Sequence, residues 1–566
     1  MSHHVLIIGA VALGPKAASR FKRLDPDSTV TMIDKDTRIS YGGCGIPYYV
    51  SGDVSDSSEL TATSYHMTRD TAFFRDVKGV EVKTGVEALA IDRAAKTVHV
   101  KDLATGREED LSYDKLVIAT GAWPRRLPVP GNELPGVHLV ANLDNAESIR
   151  AAVTAGGVER AVVIGAGFIG LEMAEALADM WDVETTVIEA APRILPRNVS
   201  PALSDMALAH IREKGVTVHL AETVQAIEGD GKVERIVTNK RVIETDLVVM
   251  AVGVVPNSDL AARAGLAVSP RGGILVDEGL RTSDPDIFAG GDCVEITNLI
   301  TGKPFFLPMG SMANRQGRVI GTNLAGGRDV FKGAVGSYAV KLFEKAVSGA
   351  GLTLEDALRE GLDATSALVV QLDRAHFYPG KELMTLELVV ERGSRRVLGI
   401  QGLCAAGDAL VGRIGAVAAM MPFSPTVDDV SNLEYPYSPP FASAMDVINT
   451  VGNAADNILA GRNLGIPPES FAPLWEEGTC YFLDCREASD AAPLLERFPG
   501  KWHNIPQGHL ARHLDEVPRD QPVVLVCNTG ARSYESFITL AHDGRSNVQN
   551  ILGGMAALRA LGIDPK

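Results

Sequence analysis

Two glycine-rich turns, each answered by an acid further along, constrain this chain more than any other feature in it. Val5-Leu-Ile-Ile-Gly9-Ala-Val-Ala-Leu-Gly14 reads as a buried strand, a tight turn and the start of a helix. Val30-Thr-Met-Ile-Asp34 reads as a second strand ending in an acid. The pattern then repeats: Ala161-Val-Val-Ile-Gly165-Ala-Gly167-Phe-Ile-Gly170 is followed by Thr185-Thr-Val-Ile-Glu189. Each acid stands about 25 positions beyond the first glycine of its turn, as a strand–helix–strand unit requires. Glycine permits the turn, the helix N-terminus faces a pyrophosphate, and the acid accepts ribose hydroxyls. An acid there accepts the 2′-hydroxyl of NAD and repels the 2′-phosphate of NADP. One such turn is a weak signal, but two completed copies predict two dinucleotide-binding folds. The first copy carries Val11 where the second carries Gly167.

Two further strand ends complete a series. Leu116-Val-Ile-Ala-Thr120-Gly121 ends on small residues, and Ile287-Phe-Ala-Gly-Gly291-Asp292 ends on an acid beside glycines. In this order the segments resemble the pyridine nucleotide–disulfide oxidoreductases, flavoproteins with two dinucleotide folds. The resemblance covers residues 3–450. It implies that the first fold holds FAD through Gly9, Gly14, Asp34, Lys35, Thr120, Gly121, Gly291 and Asp292, with Asp292 on the ribityl chain. It implies that the second fold, inserted in the first, holds NADH through Gly165, Gly167, Gly170 and Glu189.

Ile39-Ser-Tyr-Gly-Gly-Cys44-Gly-Ile-Pro-Tyr48-Tyr49 follows the first acid. A lone cysteine is ordinarily a small buried hydrophobe, but one in a glycine-rich segment at a helix start is set for thiolate chemistry. Glutathione-reductase-like members carry a second cysteine five positions on; Tyr49 stands there instead. The segment resembles coenzyme A–disulfide reductases, NADH-dependent persulfide reductases and single-cysteine NADH oxidases. Gly43 replaces the asparagine usual in that group. The same resemblance implies that Arg20 and Arg23 on the first helix face CoA phosphates. His376-Phe-Tyr378-Pro-Gly and Tyr435-Pro-Tyr437-Ser-Pro-Pro-Phe are similar to segments of CoA-disulfide reductases. There the counterparts of Tyr378 and Tyr437 come from the partner subunit of a homodimer and approach the reactive sulfur. A phenol so placed donates a proton to a leaving sulfur.

Beyond a linker-like run at 461–468, Tyr481-Phe-Leu-Asp484-Cys-Arg486 resembles a strand end of rhodanese domains. Pro522-Val-Val-Leu-Val-Cys527-Asn-Thr-Gly-Ala-Arg532-Ser533 resembles their active loop. A strand that ends in such a loop before a helix wraps N–H groups around one point and cradles an anionic sulfur. Cys527 is the candidate carrier there, with Arg532 adding positive charge. Cys480 and Cys485 read as ordinary strand cysteines.

Composition narrows the classes left. The formal net charge is −17 with no Lys/Arg block, which argues against nucleic acid and anionic membrane as partners. Apolar runs such as 247–256 and 414–423 are far shorter than the ~20 residues of a membrane span. No basic, cleavable leader is read at the N-terminus. Six cysteines with no C-x-x-C pair predict neither a disulfide framework nor a structural metal site. A cytoplasmic protein is expected.

The expected fold class is α/β: two Rossmann-like dinucleotide-binding domains, an α+β dimerisation domain and a C-terminal α/β rhodanese-like domain. The expected boundaries are 1–145 with 255–325 for FAD, 146–254 for NAD, 326–455 for dimerisation and 468–566 for the rhodanese-like part. The resemblance implies NADH-dependent reduction of CoA disulfide, CoA persulfide or polysulfide through Cys44, with CoA as substrate or carrier. Two alternatives stay open. One is an NADH oxidase or peroxidase in which Cys44 cycles through sulfenic acid, marked by aerobic NADH consumption without a sulfur acceptor. The other is a sulfurtransferase in which Cys527 matters most and the flavin half is accessory.

Overall fold

The computed structural model describes residues 3–563 and resolves into two compact units, 1–190 with 222–334, and 191–221 with 335–566.

In the first unit the alternating apolar runs become parallel strands. One sheet runs, in order, Ile287–Ala289, Lys115–Ile118, His4–Ile8, Thr29–Asp34 and Glu81–Thr84. All its pairings are parallel. Val5, Leu6 and Ile7 are fully buried, as a strand covered on both faces must be. A second parallel array sets Glu184–Ile188, Arg160–Ile164, Leu247–Met250 and Val137–Leu139 side by side. The chain passes from the first fold to the second and back, and the two crossings pair antiparallel as Ala122–Pro124 and Val254–Pro256. Strand ends therefore collect at the glycine turns, the crevice where α/β sheets bind ligands.

Val137–Leu139 pairs with Leu247–Met250, so the second fold begins before residue 146. By their contacts, residues 191–221 group with the second unit. The helix Pro201–Glu213 explains this: Ser200 N–H donates to Gln401 Oε1 (2.7 Å), and the Tyr338 hydroxyl donates to Asn198 O.

The second unit holds an antiparallel sheet in the order Tyr338–Leu342, Lys345–Gly351, Val397–Cys404, Leu383–Glu391 and Ala364–Leu372. Helices Gly407–Met420 and Val447–Leu459 pack on it. A separate parallel sheet follows: Gly465–Ile466, Val548–Ile551, Val523–Val526, Tyr481–Asp484 and Trp502–Asn504. Its two faces bury different sets. Phe482, Trp502, Val524 and Val526 fill one core; Leu483, Cys485, Leu525 and Cys527 fill the other. The period-two alternation of these strands accounts for the split. Among the described residues no helix is long and apolar enough to cross a membrane.

Candidate functional site

The two glycine turns repeat the same backbone contacts. Gly9 and Gly165 hold φ of +109° and +104°, a region L side chains rarely enter. The next N–H in each turn donates to the distant acid: Ala10 to Asp34 Oδ2 and Ala166 to Glu189 Oε2, both 2.7 Å. A Cβ on Gly14 would lie 2.0 Å from Gly9 O, and one on Gly170 1.9 Å from Gly165 O. These glycines let helix and turn touch. Gly167 differs, because a Cβ there would meet nothing within 4 Å. The protein does not demand glycine at 167; the open side is room for a ligand phosphate.

Glu189 sets the expected cofactor choice. Its carboxylate stands just past the strand Glu184–Ile188, and a 2′-phosphate brought into contact with it would meet a like charge at a cost of several kcal/mol. NADH is expected to exceed NADPH in kcat/KM by about 10²-fold or more. Glu189→Gln should narrow that gap, and equal kcat/KM values in the unaltered protein would remove Glu189 from this role.

The first fold has the features an FAD site needs. The Thr120 hydroxyl donates to Asn257 O (2.6 Å), and Gly121 turns at φ +69°. Lys35 Nζ lies 3.6 Å from the centre of the Trp123 ring. Gly291 N–H is held by Gln316 Oε1 at 2.6 Å. Burial pushes the Asp292 carboxyl up to about 6. A half-buried acid in that setting gains from hydroxyl donors such as those of a ribityl chain, so these residues fit the group.

Cys44 sits on the short turn Gly43–Gly45, which leads into the helix Ile46–Ser51. It is exposed. A Cβ on Gly310 would lie 3.5 Å from its sulfur. Gly310 opens the helix Gly310–Leu324, so a long helix presents its N-terminus beside Cys44, the electrostatic setting that suits a thiolate. At Gly43 a Cβ would meet only Tyr41 Cε2, at 3.8 Å, so the backbone leaves space for the missing side chain.

One pair, reaching from the helix that follows Cys44, was not found in the sequence. The Tyr48 hydroxyl donates to Glu172 Oε1 at 3.4 Å, joining the Cys44 helix to the helix that follows the second turn. Burial raises Glu172 to about 7 and Tyr48 to about 12. An acid whose folded pKa is raised withholds its proton from solvent, so the penalty is absent at pH 4 and complete above pH ~7. Glu172→Gln is therefore expected to raise Tm at pH 8 and to leave it nearly unchanged at pH 4. Equal shifts at both pH values would mean that Glu172 is not held protonated.

Arg20 and Arg23 lie on the helix Leu13–Leu24. Arg20 Nε donates to Thr322 Oγ1 (3.1 Å), while Arg23 is exposed.

In the second unit a fully buried arginine organises both tyrosine segments. Arg413 donates to the Asp446 carboxylate (2.7 Å), to Asp373 O (2.7 Å) and to Phe441 O (3.3 Å). The Tyr435 ring stacks 4.8 Å from its guanidinium. Asp373 in turn accepts from Glu382 N–H (2.8 Å), closing the loop that carries Tyr378. Tyr437 is 54% exposed and lines a cavity of about 440 Å³ with Arg374, His376, Ser443 and Thr529. Thr529 belongs to the Cys527 loop, so that loop and Tyr437 open into the same space. Phe377, Phe441 and Met445, on the same two segments, are 67%, 70% and 56% exposed.

Cys527 ends the strand Val523–Val526 and is buried. Gly530 N–H donates to its sulfur at 3.1 Å and the Ser533 hydroxyl at 3.4 Å. Gly554, at φ +55°, lets a neighbouring turn approach: a Cβ there would lie 2.3 Å from Cys527 O. Asp484 and Arg486 form a buried ion pair (2.6 Å), and Trp502 Nε1 donates to the same carboxylate. Arg532 stands at the rim, 4.0 Å from Glu487.

Comparison with known proteins agrees with this arrangement. Residues 3–312 match the family model "pyridine nucleotide-disulphide oxidoreductase", and 338–447 match the dimerisation domain of the same family. A CoA-dependent NAD(P)H sulfur oxidoreductase of Pyrococcus abyssi is 34% identical over 442 residues, 78% of this chain and 96% of the relative. The structure of an NAD-dependent persulfide reductase from A. fulgidus superposes with a TM-score of 0.92 at 41% identity, covering 98% of this chain and 99% of that one. The reduced CoADR-RHD of Bacillus anthracis superposes with a TM-score of 0.90 at 29% identity, covering 99% and 98%.

Proposed function

The chain belongs to the pyridine nucleotide-disulphide oxidoreductase family, and from that premise we propose that it is an FAD-dependent, NADH-oxidising reductase of CoA disulfide, CoA persulfide or polysulfide. The observation that carries this reading is Cys44: an exposed, solitary sulfur beside the N-terminus of the helix Gly310–Leu324, within the first dinucleotide fold. FAD, which Gly9, Gly14, Asp34, Thr120, Gly121, Gly291 and Asp292 would hold, would supply from NADH the electron pair that the sulfur chemistry consumes.

The chain's own residues do the rest. The Cys44 thiolate attacks one sulfur of the substrate and forms a mixed disulfide. The departing thiolate or hydrosulfide takes a proton from the hydroxyl of Tyr437 or Tyr378. In a cytoplasmic homodimer these tyrosines are contributed by the second copy. The exposed Phe377, Phe441 and Met445 support such an assembly, because apolar side chains gathered on one surface mark an interface. Arg20 and Arg23 take CoA phosphates. The C-terminal part is a rhodanese-like module in which Cys527 carries sulfane sulfur. The cavity shared by Thr529 and Tyr437 supports delivery of that sulfur to the reductive site on a CoA carrier.

Steady-state NADH oxidation against CoA disulfide, CoA persulfide, polysulfide and O₂ tests the reading. The sulfur compounds are expected to be turned over and O₂ to be a poor acceptor. Oxygen consumption as fast as the best sulfur reaction would make the protein an oxidase. Tyr437→Phe and Tyr378→Phe are expected to slow sulfur reduction by ~10²-fold or more while leaving flavin reduction by NADH intact. Unchanged turnover in both variants would assign these residues to packing.

A further inference from the structure

Cys485 looks like filler in the sequence, but the fold sets it beside Cys527. Strands Tyr481–Asp484 and Val523–Val526 run parallel with Asp484 opposite Val526, and Cys485 N–H donates to Val526 O at 2.8 Å. The next positions along are Cys485 and Cys527. Both side chains enter the same core, with Leu483 and Leu525, while Phe482, Val524 and Val526 fill the opposite one. Neighbouring strands lie about 4.8 Å apart. A disulfide needs Cα atoms about 4.4–6.8 Å apart with side chains on one side. Two serines on the helix Ala531–His542 follow the two sulfurs. Ser533 donates to Cys527 (3.4 Å). Ser536, one turn on, is fully buried, makes no other hydrogen bond, and faces Cys485, where its hydroxyl favours the thiolate.

We propose that Cys485 is the resolving thiol of Cys527: when Cys527 carries a sulfane sulfur, Cys485 attacks its Sγ, closes a Cys485–Cys527 disulfide and expels hydrosulfide. The step balances. The Cys485 S–H bond and the bond from Cys527 Sγ to the outer sulfur break, and the inter-cysteine S–S bond forms. The Cys485 proton leaves on the outer sulfur. Two thiols lose the electron pair that the sulfane sulfur gains. Burial pushes the Cys485 thiol up to about 12, so it rests protonated and leaves an unloaded Cys527 alone. The anionic outer sulfur of the loaded loop accepts the Cys485 proton as it leaves. Two equivalents of a small thiol then reopen the disulfide and leave as its oxidised dimer. If that thiol is CoA, the product is a substrate of the reductase proposed above; this recycling step alone rests on that reading.

The test omits NADH and free thiol, so it stands apart from the flavin reaction. Reduced full-length holoenzyme is mixed with thiosulfate. Sulfite reports loading of Cys527, sulfide reports discharge, and intact mass reports the end state. The unaltered protein is expected to release sulfite and sulfide in equal amounts and to end two hydrogens lighter, with Cys485 and Cys527 linked. Cys485→Ala is expected to release sulfite alone and to keep the mass of one extra sulfur atom. Cys485→Ser repeats this with the core volume kept, and the sulfite that both variants release shows that the Cys527 loop is folded. A wild-type chain that keeps its extra sulfur while Cys485 stays open to alkylation overturns the proposal. If thiosulfate does not load Cys527, polysulfide replaces it; no disulfide with either donor is equally fatal. Failure to reduce CoA disulfide with NADH would overturn the proposed function and leave this result untouched.

Discussion

Cys44→Ser is expected to bind FAD, to be reduced by NADH, and to lose CoA-disulfide and persulfide turnover by more than about 10³-fold, since removing the nucleophile of a covalent mechanism removes its intermediate. The separation follows from where the residues lie. The turn at Gly9, the acids Asp34 and Asp292 and the strand end at Thr120 are the residues proposed to hold FAD, and none of them is in the Gly43–Gly45 turn. Serine keeps the shape of the turn. Its hydroxyl does not ionise near neutral pH, so the helix end beside it has no thiolate to favour. Stopped-flow absorbance separates the two halves: flavin bleaching by NADH reports the first, and release of a coloured or radiolabelled thiol reports the second. A serine variant that reduces the sulfur substrates at the native rate would overturn the central assignment.

The parts of this site that the sequence displays are those encoded locally. A glycine turn, a helix start and an acid at the next strand end fall within one short window, and their spacing mirrors the geometry in which Ala10 meets Asp34 and Ala166 meets Glu189. Cys44 and Cys527 announce themselves through the glycines around them. What stayed hidden depends on contacts between distant segments. Tyr48 meets Glu172 across 124 positions, and Gly310 approaches Cys44 from another part of the fold. Arg413 is an arginine in an apolar helix stretch, yet it ties together the segments bearing Tyr378 and Tyr437. No periodicity marks such a residue; only its complete burial does, because a buried guanidinium persists only when several acceptors surround it. The strand Val137–Leu139 was missed for a simpler reason. Three residues are too few to show alternation.

Cys527→Ala is expected to leave reduction of preformed CoA persulfide nearly intact and to abolish NADH-dependent sulfide release from thiosulfate. The two cysteines are set for different tasks. Cys44 is exposed in the first dinucleotide fold; Cys527 is buried in a loop whose Gly530 N–H and Ser533 hydroxyl point at its sulfur. Converging donors stabilise a sulfur anion but supply no electrons. The loop therefore suits opening a donor such as thiosulfate and holding the sulfane sulfur, while the NADH-driven reduction proposed above runs through Cys44. Removing one sulfur atom from Cys527 leaves the strand, the Asp484–Arg486 pair and the cavity wall at Thr529 in place. Joining both modules in one chain raises their effective concentration to about the millimolar range where the carrier can span them. That tethering predicts a second, finer outcome. Mixing Cys527→Ala with Cys44→Ser should restore less thiosulfate-dependent sulfide than the unaltered protein makes, because sulfur must then pass between modules on separate chains. Full sulfide release by Cys527→Ala alone would show that thiosulfate is opened elsewhere, and the rhodanese-like module would need another role.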